Sequence, residues 1–520
     1  MAHGLVRLGF LFVVVACGCL PVPHEPAPRR VERELPEDWR LRCEKIPNTK
    51  KGDPRRTAPK KSMWFWAEHE RGGPVILEGT LEDGFLIPTR ASVPNFAYLR
   101  RACLDTLRRR GEAGSHTLVR VRAARRSEGI VASVLVPSDH VDGGAVSRIV
   151  VFGDSLSDAG LLRERLKVLP GTAYWGGRFS NGPVWADYLE ALLDLPVQNH
   201  ALGGATVSPR PLGKSEHILE QIEQRGQSFV SGSTHRQVED YIQRFLAAEN
   251  MHSTRETLFI LWAGANDYIS KAPFSGSIET LLDSPKAEGG YENVVSEVAR
   301  ALGLQVHKLY AAGARRFLLV NLPPLGRTPI VLQNVAYLAG RKGMTDAERR
   351  IAFSDRLAEL VEHHNDRLEA MAAQLREEMP NAQIVVADVA ESFTQILDGD
   401  LAVAGIADVA TGFDLESSKA ELRHGERVLE IQRRCYQGGY LTAEGGAPVC
   451  DHEDRAVFWD VVHPTTYAHC WEAYLLAARM KEEGWIDELI SPARNRIRCE
   501  SQNDIPSAAM GVEGAVISAE

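Results

Sequence analysis

Ser155 is the residue with the plainest chemical potential. It follows the β-forming run "SRIVVF" in "VFGDSLSDAG" (Val151 to Gly160). A strand ending on Gly-Asp-Ser presents a hydroxyl at the carboxyl edge of a sheet, where open α/β folds place their reactive groups. The plain alternative is an N-cap, since Ser and Asp are favoured wherever a strand turns into a helix. Two later stretches, "NHALGGAT" (Asn199 to Thr206) and "AGANDY" (Ala263 to Tyr268), also follow β-like runs. Each alone reads as turn chemistry; together they place a backbone N–H at Gly204 and a side-chain amide at Asn266 beside Ser155. "FWDVVHPTTYAH" then sets Asp460 three residues before His463. His463 fits an N-cap for the helix that Pro464 opens at its first position. Yet a residue before proline is biased to extended backbone, which holds the ring off the helix and toward the sheet edge. Asp460 then accepts the Nδ1 proton and Nε2 faces Ser155 as a base.

Positioning these groups requires strands that end side by side. From residue 147 onward, β-rich runs ("SRIVVF", "LPVQNHALGG", "ETLFILWAG", "RRFLLVNLPP", "AQIVVADV") alternate with helical ones, which predicts βαβ units and a doubly wound parallel sheet. The longest helix runs from an N-cap at Thr345 to a stop at Pro380. The segment from about 390 to 458 breaks the alternation, as functional excursions do. Upstream, residues 61–142 read as a small α+β domain of short strands around "PNFAYLRRACLDTLRRR", with Trp64, Phe65 and Trp66 in its core. Residues 21–60 read as an exposed Pro/Arg/Lys-rich arm, 147–485 as the main domain and 486–520 as a C-terminal tail.

With 520 residues and 44% hydrophobic content the chain can bury a large core. Its 60 Lys and Arg against 69 Asp and Glu give a net charge of -9, which offers no basic footprint for nucleic acid. Residues 1–20 have the build of a signal peptide, with Arg7 before an apolar run from Leu8 to Ala16. "VVAC" also resembles a bacterial lipobox ending at Cys17, so the expected location is exported, either secreted or as a cell-surface lipoprotein. Six cysteines follow: Cys43, Cys103, Cys435, Cys450, Cys470 and Cys499. In an exported chain they suggest disulfides, and spacing leaves their pairing open. No Cys or His spacing suggests a metal.

"GDSLSDAG", "GRFSNGPVWADYL", "NHALGGAT", "GAND" and "DVVHPTT", in this order, resemble the blocks of the GDSL or SGNH lipases and esterases. Within that group the chain is similar to secreted bacterial phospholipases of the thermolabile haemolysin type and to glycerophospholipid-cholesterol acyltransferases. The resemblance implies a three-layer α/β/α, flavodoxin-like SGNH-hydrolase sheet. It assigns Ser155 as nucleophile, His463 as base and Asp460 as its orienter, with an oxyanion hole from Ser155 N–H, Gly204 N–H and Asn266. Asp154 and Asp158 are then supports of the serine turn. It also implies a disulfide loop from Cys435 to Cys450, read as a staple or as a lid beside the histidine.

The resulting expectation is a phospholipase that cleaves fatty acyl esters of glycerophospholipids through an acyl-enzyme, with transfer to a sterol as an alternative fate. It needs no cofactor and acts at a membrane surface; oligomeric state stays open. One rival is an esterase for small esters or polysaccharide O-acetyl groups, because fold does not fix substrate. Another is a membrane-binding haemolytic protein with a vestigial site.

Overall fold

A computed structural model describes residues 39–47, 63–82, 85–89, 92, 96–125, 131–134, 146–209, 232–243, 256–269, 292–333, 344–399, 411–440 and 447–501. The expected signal peptide, the lipobox cysteine Cys17 and most of the arm lie outside the described residues.

The N-terminal domain is built on strands β1 (Trp39–Pro47), β2 (Met63–Trp66), β3 (Ile76–Leu77), β4 (Gly79–Glu82) and β5 (Phe85–Pro88), helix α1 (Phe96–Arg109), and strands β6 (His116–Ala124) and β7 (Val131–Val134). They form one sheet in the order β2-β1-β6-β7-β5-β4, with β3 also on β1. The arm therefore ends earlier than expected: Trp39–Pro47 is a central strand, paired with β2, β3 and β6. Its alternation explains why. Trp39, Leu41 and Cys43 are buried in the domain core, while Arg40, Arg42 and Glu44 stand on the opposite face and give the segment its charged look. Cys43 is bonded to Cys103 of α1. Of the aromatic triplet only Phe65 is fully in the core; Trp64 is 53% exposed, because neighbouring strand residues point to opposite faces.

The main domain follows the expected alternation. Strand β8 (Arg148–Gly153) leads through α2 (Leu161–Leu166) and α3 (Trp185–Leu193) to β9 (Val197–Asn199). Next come α4 (Thr234–Tyr241), β10 (Thr257–Trp262), α5 (Ala265–Ile269), α6 (Glu292–Ala311), β11 (Arg316–Val320), α7 (Ile330–Gln333) and α8 (Asp346–Glu378). The series closes with β12 (Gln383–Ala387), α9 (Val389–Asp398), the hairpin β13 (Lys419–His424) and β14 (Arg427–Gln432), α10 (Thr466–Glu482) and α11 (Pro492–Glu500). Helix α8 is opened by a capping box between Thr345 and Glu348. The sheet order is β12-β11-β10-β8-β9, all parallel, the flavodoxin-like order whose direction switches between β8 and β10.

Side-chain alternation along these strands makes the three layers. Val150, Phe152, Phe259, Leu261 and Phe317 pack against α4, α6 and α8. Ile149, Val151, Leu258, Ile260 and Leu318 pack against α3, α9 and α10. The segment read as a tail joins this second layer: α11 is capped by Ser491, and Cys499 is buried in that core and bonded to Cys470. Helix α10 begins at Thr466 with Thr465 as its cap, so neither His463 nor Pro464 opens it and the imidazole is free of capping duty.

Candidate active site

Strand β8 ends at Gly153, and the chain turns on Asp154, whose carboxylate accepts the Leu156 amide at 3.0 Å while its carbonyl accepts the Ser157 amide at 3.1 Å. Ser155 occupies the tip of this turn, half-buried. The capping role that competes for it falls to Asp158. That buried carboxylate accepts the amides of Gly160, Leu161 and Leu162 at 2.8, 2.6 and 3.1 Å, at the start of α2, and of Gly203 at 2.8 Å. One side chain thus locks the serine turn to the "NHALGGAT" stretch. Gly203 has no room for a Cβ, which would lie 2.4 Å from the Phe179 ring. Gly204 has φ +77°, left-handed backbone that favours glycine.

Ser155 Oγ lies 2.7 Å from His463 Nε2. On the other side of the ring, Nδ1 lies 2.9 Å from Asp460 Oδ1 and 2.8 Å from Oδ2. A carboxylate takes the Nδ1 proton, which leaves Nε2 as the acceptor of the serine hydroxyl. Asp460 and His463 are 2% and 4% exposed, so this pairing is shielded from water. Burial alone would raise the Asp460 carboxyl, but the charge and hydrogen bond of His463 and the amides of Val462 and His463 hold it below the ordinary range. The strip carrying the pair is fixed from "GRFSNG": the Ser180 hydroxyl donates to the Pro464 carbonyl at 2.9 Å, and Asn181 accepts the Thr466 amide at 2.8 Å.

Asn266, at the head of α5, donates to the Ala205 carbonyl at 3.1 Å, which ties it to the residue after Gly204, and its side chain stands close enough to Asp154 to favour the charged carboxylate. Burial pushes Asp154 up to about 6, against the Leu156 amide, the His463 charge and Asn266. The structure brings Ser155, Asp460 and His463 into direct contact, and ties Gly204 and Asn266 to the same turn. An apolar hollow lies beside them, lined by Leu156, Trp262, Pro323, Phe393, Phe458 and Val462.

Sequence reasoning missed the aromatic surround of the histidine. Phe179 and Tyr440 have ring centroids 5.0 and 5.8 Å from His463, and the Tyr174 hydroxyl donates to Asp460 Oδ2 at 2.9 Å. Phe179 was within reach, inside "GRFSNG"; no local pattern marks the tyrosines. The Cys435–Cys450 disulfide is formed, with Tyr440 on its loop; residues 441–446, the tip of the expected lid, lie outside the described residues. Among the described residues no group of three or more His, Cys, Asp or Glu side chains could hold a metal ion.

A half-buried hydroxyl, an imidazole and a buried carboxylate in this order, at the switch point of a parallel sheet, suit acyl transfer through serine. The family model described as GDSL-like Lipase/Acylhydrolase matches residues 149–473. The chain belongs to that family and is an ester hydrolase. It is 27% identical over 365 residues to a phosphatidylcholine-sterol acyltransferase of Aeromonas hydrophila, covering 66% of this chain and 91% of the relative. It is 27% identical over 339 residues to the secreted effector protein SseJ of Salmonella typhimurium, covering 64% of this chain and 63% of the relative. With a thermolabile hemolysin of Vibrio parahaemolyticus it shares 24% over 419 residues, 79% of this chain and 81% of the relative.

Proposed function

We propose that this chain is an exported hydrolase of glycerophospholipid fatty acyl esters that works through an acyl-enzyme on Ser155. The observation that carries the reading is the 2.7 Å contact between Ser155 Oγ and His463 Nε2, with Asp460 on the far nitrogen. Oγ attacks the ester carbonyl carbon as its proton passes to Nε2. The carbonyl electrons move onto oxygen, which the N–H groups of Ser155 and Gly204 and the Asn266 amide stabilise. Collapse breaks the ester C–O bond, the leaving alkoxide takes the proton from Nε2, and the acyl group stays on Ser155. Water then repeats the sequence and releases the fatty acid; an alcohol in its place yields a new ester.

The apolar lining around Leu156 and Val462 favours a non-polar substrate group over a charged one. The acyltransferase and hemolysin relatives support a lipid substrate. Export is supported by three disulfides and by the secreted effector among the relatives. Among the described residues no helix is long and apolar enough to cross a membrane.

The test is mass spectrometry of products from phosphatidylcholine vesicles with and without cholesterol. Wild-type protein releases fatty acid and lysophospholipid, and folded Ser155→Ala protein releases neither. Cholesteryl ester in the second arm identifies a sterol as acceptor. Hydrolysis by Ser155→Ala at the wild-type rate, or wild-type activity confined to acetyl esters, overturns the proposal.

A further inference from the structure

We propose that Tyr174 is a positioning residue of this site: its hydroxyl fixes the Asp460 carboxylate and thereby aims His463 at Ser155. The inference rests on the serine mechanism above. The two carboxylate oxygens are held in different ways. Oδ1 accepts the amides of Val462 and His463 at 3.0 and 2.9 Å and lies 2.9 Å from Nδ1, all from the turn that carries Asp460 itself. Oδ2 has Nδ1 at 2.8 Å and, among the described residues, one donor from elsewhere in the chain, the Tyr174 hydroxyl at 2.9 Å, 286 residues away. Donors on Oδ1 alone leave the carboxylate plane to be set by the histidine it is meant to orient. A donor on Oδ2 makes that plane independent of the ring's protonation.

Tyr174 is suited to the task because it cannot swing away. It is 3% exposed, its amide is bonded to the Gly171 carbonyl at 3.2 Å, and the Gly171 amide is bonded to the Tyr440 carbonyl at 2.6 Å. Its ring packs 5.7 to 5.9 Å, centroid to centroid, from those of Phe179, Tyr436 and Tyr440. The other titratable groups facing the pair do not duplicate the contact. The Tyr440 hydroxyl is 3.5 Å from Nδ1, a nitrogen already committed to Asp460. Asp154 acts on the ring through charge, and burial holds His469 neutral, with its pKa down to about 3.

The variant is Tyr174→Phe, which keeps the ring and its packing. Removing the donor leaves Asp460 a stronger acceptor for Nδ1–H, so the imidazole holds its proton more tightly. The acidic limb of kcat/KM against pH then moves up by about half a unit. A less firmly aimed ring lowers kcat by about tenfold, within the worth of one hydrogen bond to a charged group, while KM for p-nitrophenyl butyrate stays as in wild type. Titration with a fluorophosphonate counts the functional sites in each preparation. The proposal holds if kcat per titrated site falls and the limb shifts upward. It is overturned if both are unchanged per titrated site, including the case where only the number of titratable sites drops, which marks a purely structural role. Wild-type protein that takes no label at Ser155 instead removes the serine mechanism on which the inference stands.

Discussion

Asp158→Asn should separate folding from catalysis at the joint between the serine turn and the "NHALGGAT" stretch. Each carboxylate oxygen serves two amides: Oδ1 accepts those of Gly160 and Leu161, and Oδ2 those of Leu162 and Gly203. An asparagine keeps one oxygen and turns an NH2 toward the other pair, so either orientation leaves two buried donors facing a donor. At about 1.5–3 kcal/mol for each hydrogen bond to a charged acceptor, the loss is about 3–6 kcal/mol, a large share of a typical stability of about 5–15 kcal/mol. The catalytic consequence runs through Gly203, whose amide Asp158 holds at 2.8 Å. Released, it lets Gly204 drift from the proposed oxyanion position, and turnover falls by about tenfold, short of the effect of deleting a donor. Urea unfolding, followed by tryptophan fluorescence, measures the first effect. Initial rates at a temperature where the variant remains folded measure the second. A stability loss below about 1 kcal/mol with normal turnover would refute the idea that this carboxylate joins the two stretches.

Three further outcomes follow from buried groups and cross-links. Neither carboxyl oxygen of Glu472 on α10 has a hydrogen-bond partner among the described residues, and burial pushes this acid up to about 8. The folded state therefore keeps a proton that the unfolded chain has lost, and stability falls by about 1.4 kcal/mol per pH unit between the ordinary glutamate range and about pH 8. Glu472→Gln removes that slope, so its gain in Tm should grow from about pH 5 to about pH 8; equal Tm differences at both ends would contradict the assignment. Replacing Cys470 and Cys499 by Ala opens a loop of 29 residues and should cost about 3.6 kcal/mol in the chain-entropy model. Proteolysis of the α11 segment should then accelerate ahead of the rest of the domain. Asn266→Ala should lower turnover by about two to three orders of magnitude with little change in KM, as steady-state kinetics will show.

Sequence patterning reveals most where one residue type does one job. The runs "SRIVVF" and "ETLFILW" are buried at every position of β8 and β10, and nothing competes with reading them as central strands. Gly-Asp-Ser is legible because it stands where β8 gives way to a turn and helix, and Asp-Val-Val-His-Pro because it directly precedes α10. Patterning fails where two demands share a segment. In Trp39–Pro47, Arg40, Arg42 and Glu44 dominate the composition, although Trp39, Leu41 and Cys43 occupy the core; a proline-rich neighbour tips the balance toward an arm. In the C-terminal segment the Ser491 cap and Pro492 are ordinary helix signals. What they cannot disclose is that Cys499 reaches Cys470. Tyr174 is the extreme case: its partner is 286 residues distant, and only the folded sheet creates the contact.

The central claim is covalent: the acyl group of the substrate resides on Ser155 before water removes it. Rapid acid quenching of wild-type protein mixed with a p-nitrophenyl acyl ester, followed by intact mass and peptide mapping, tests it directly. The account predicts the added mass of one acyl group on the peptide containing Ser155, formed within the first turnover and absent from Ser155→Ala protein. An acyl group on a different residue, or full turnover with no acylated protein at any quench time, would contradict it.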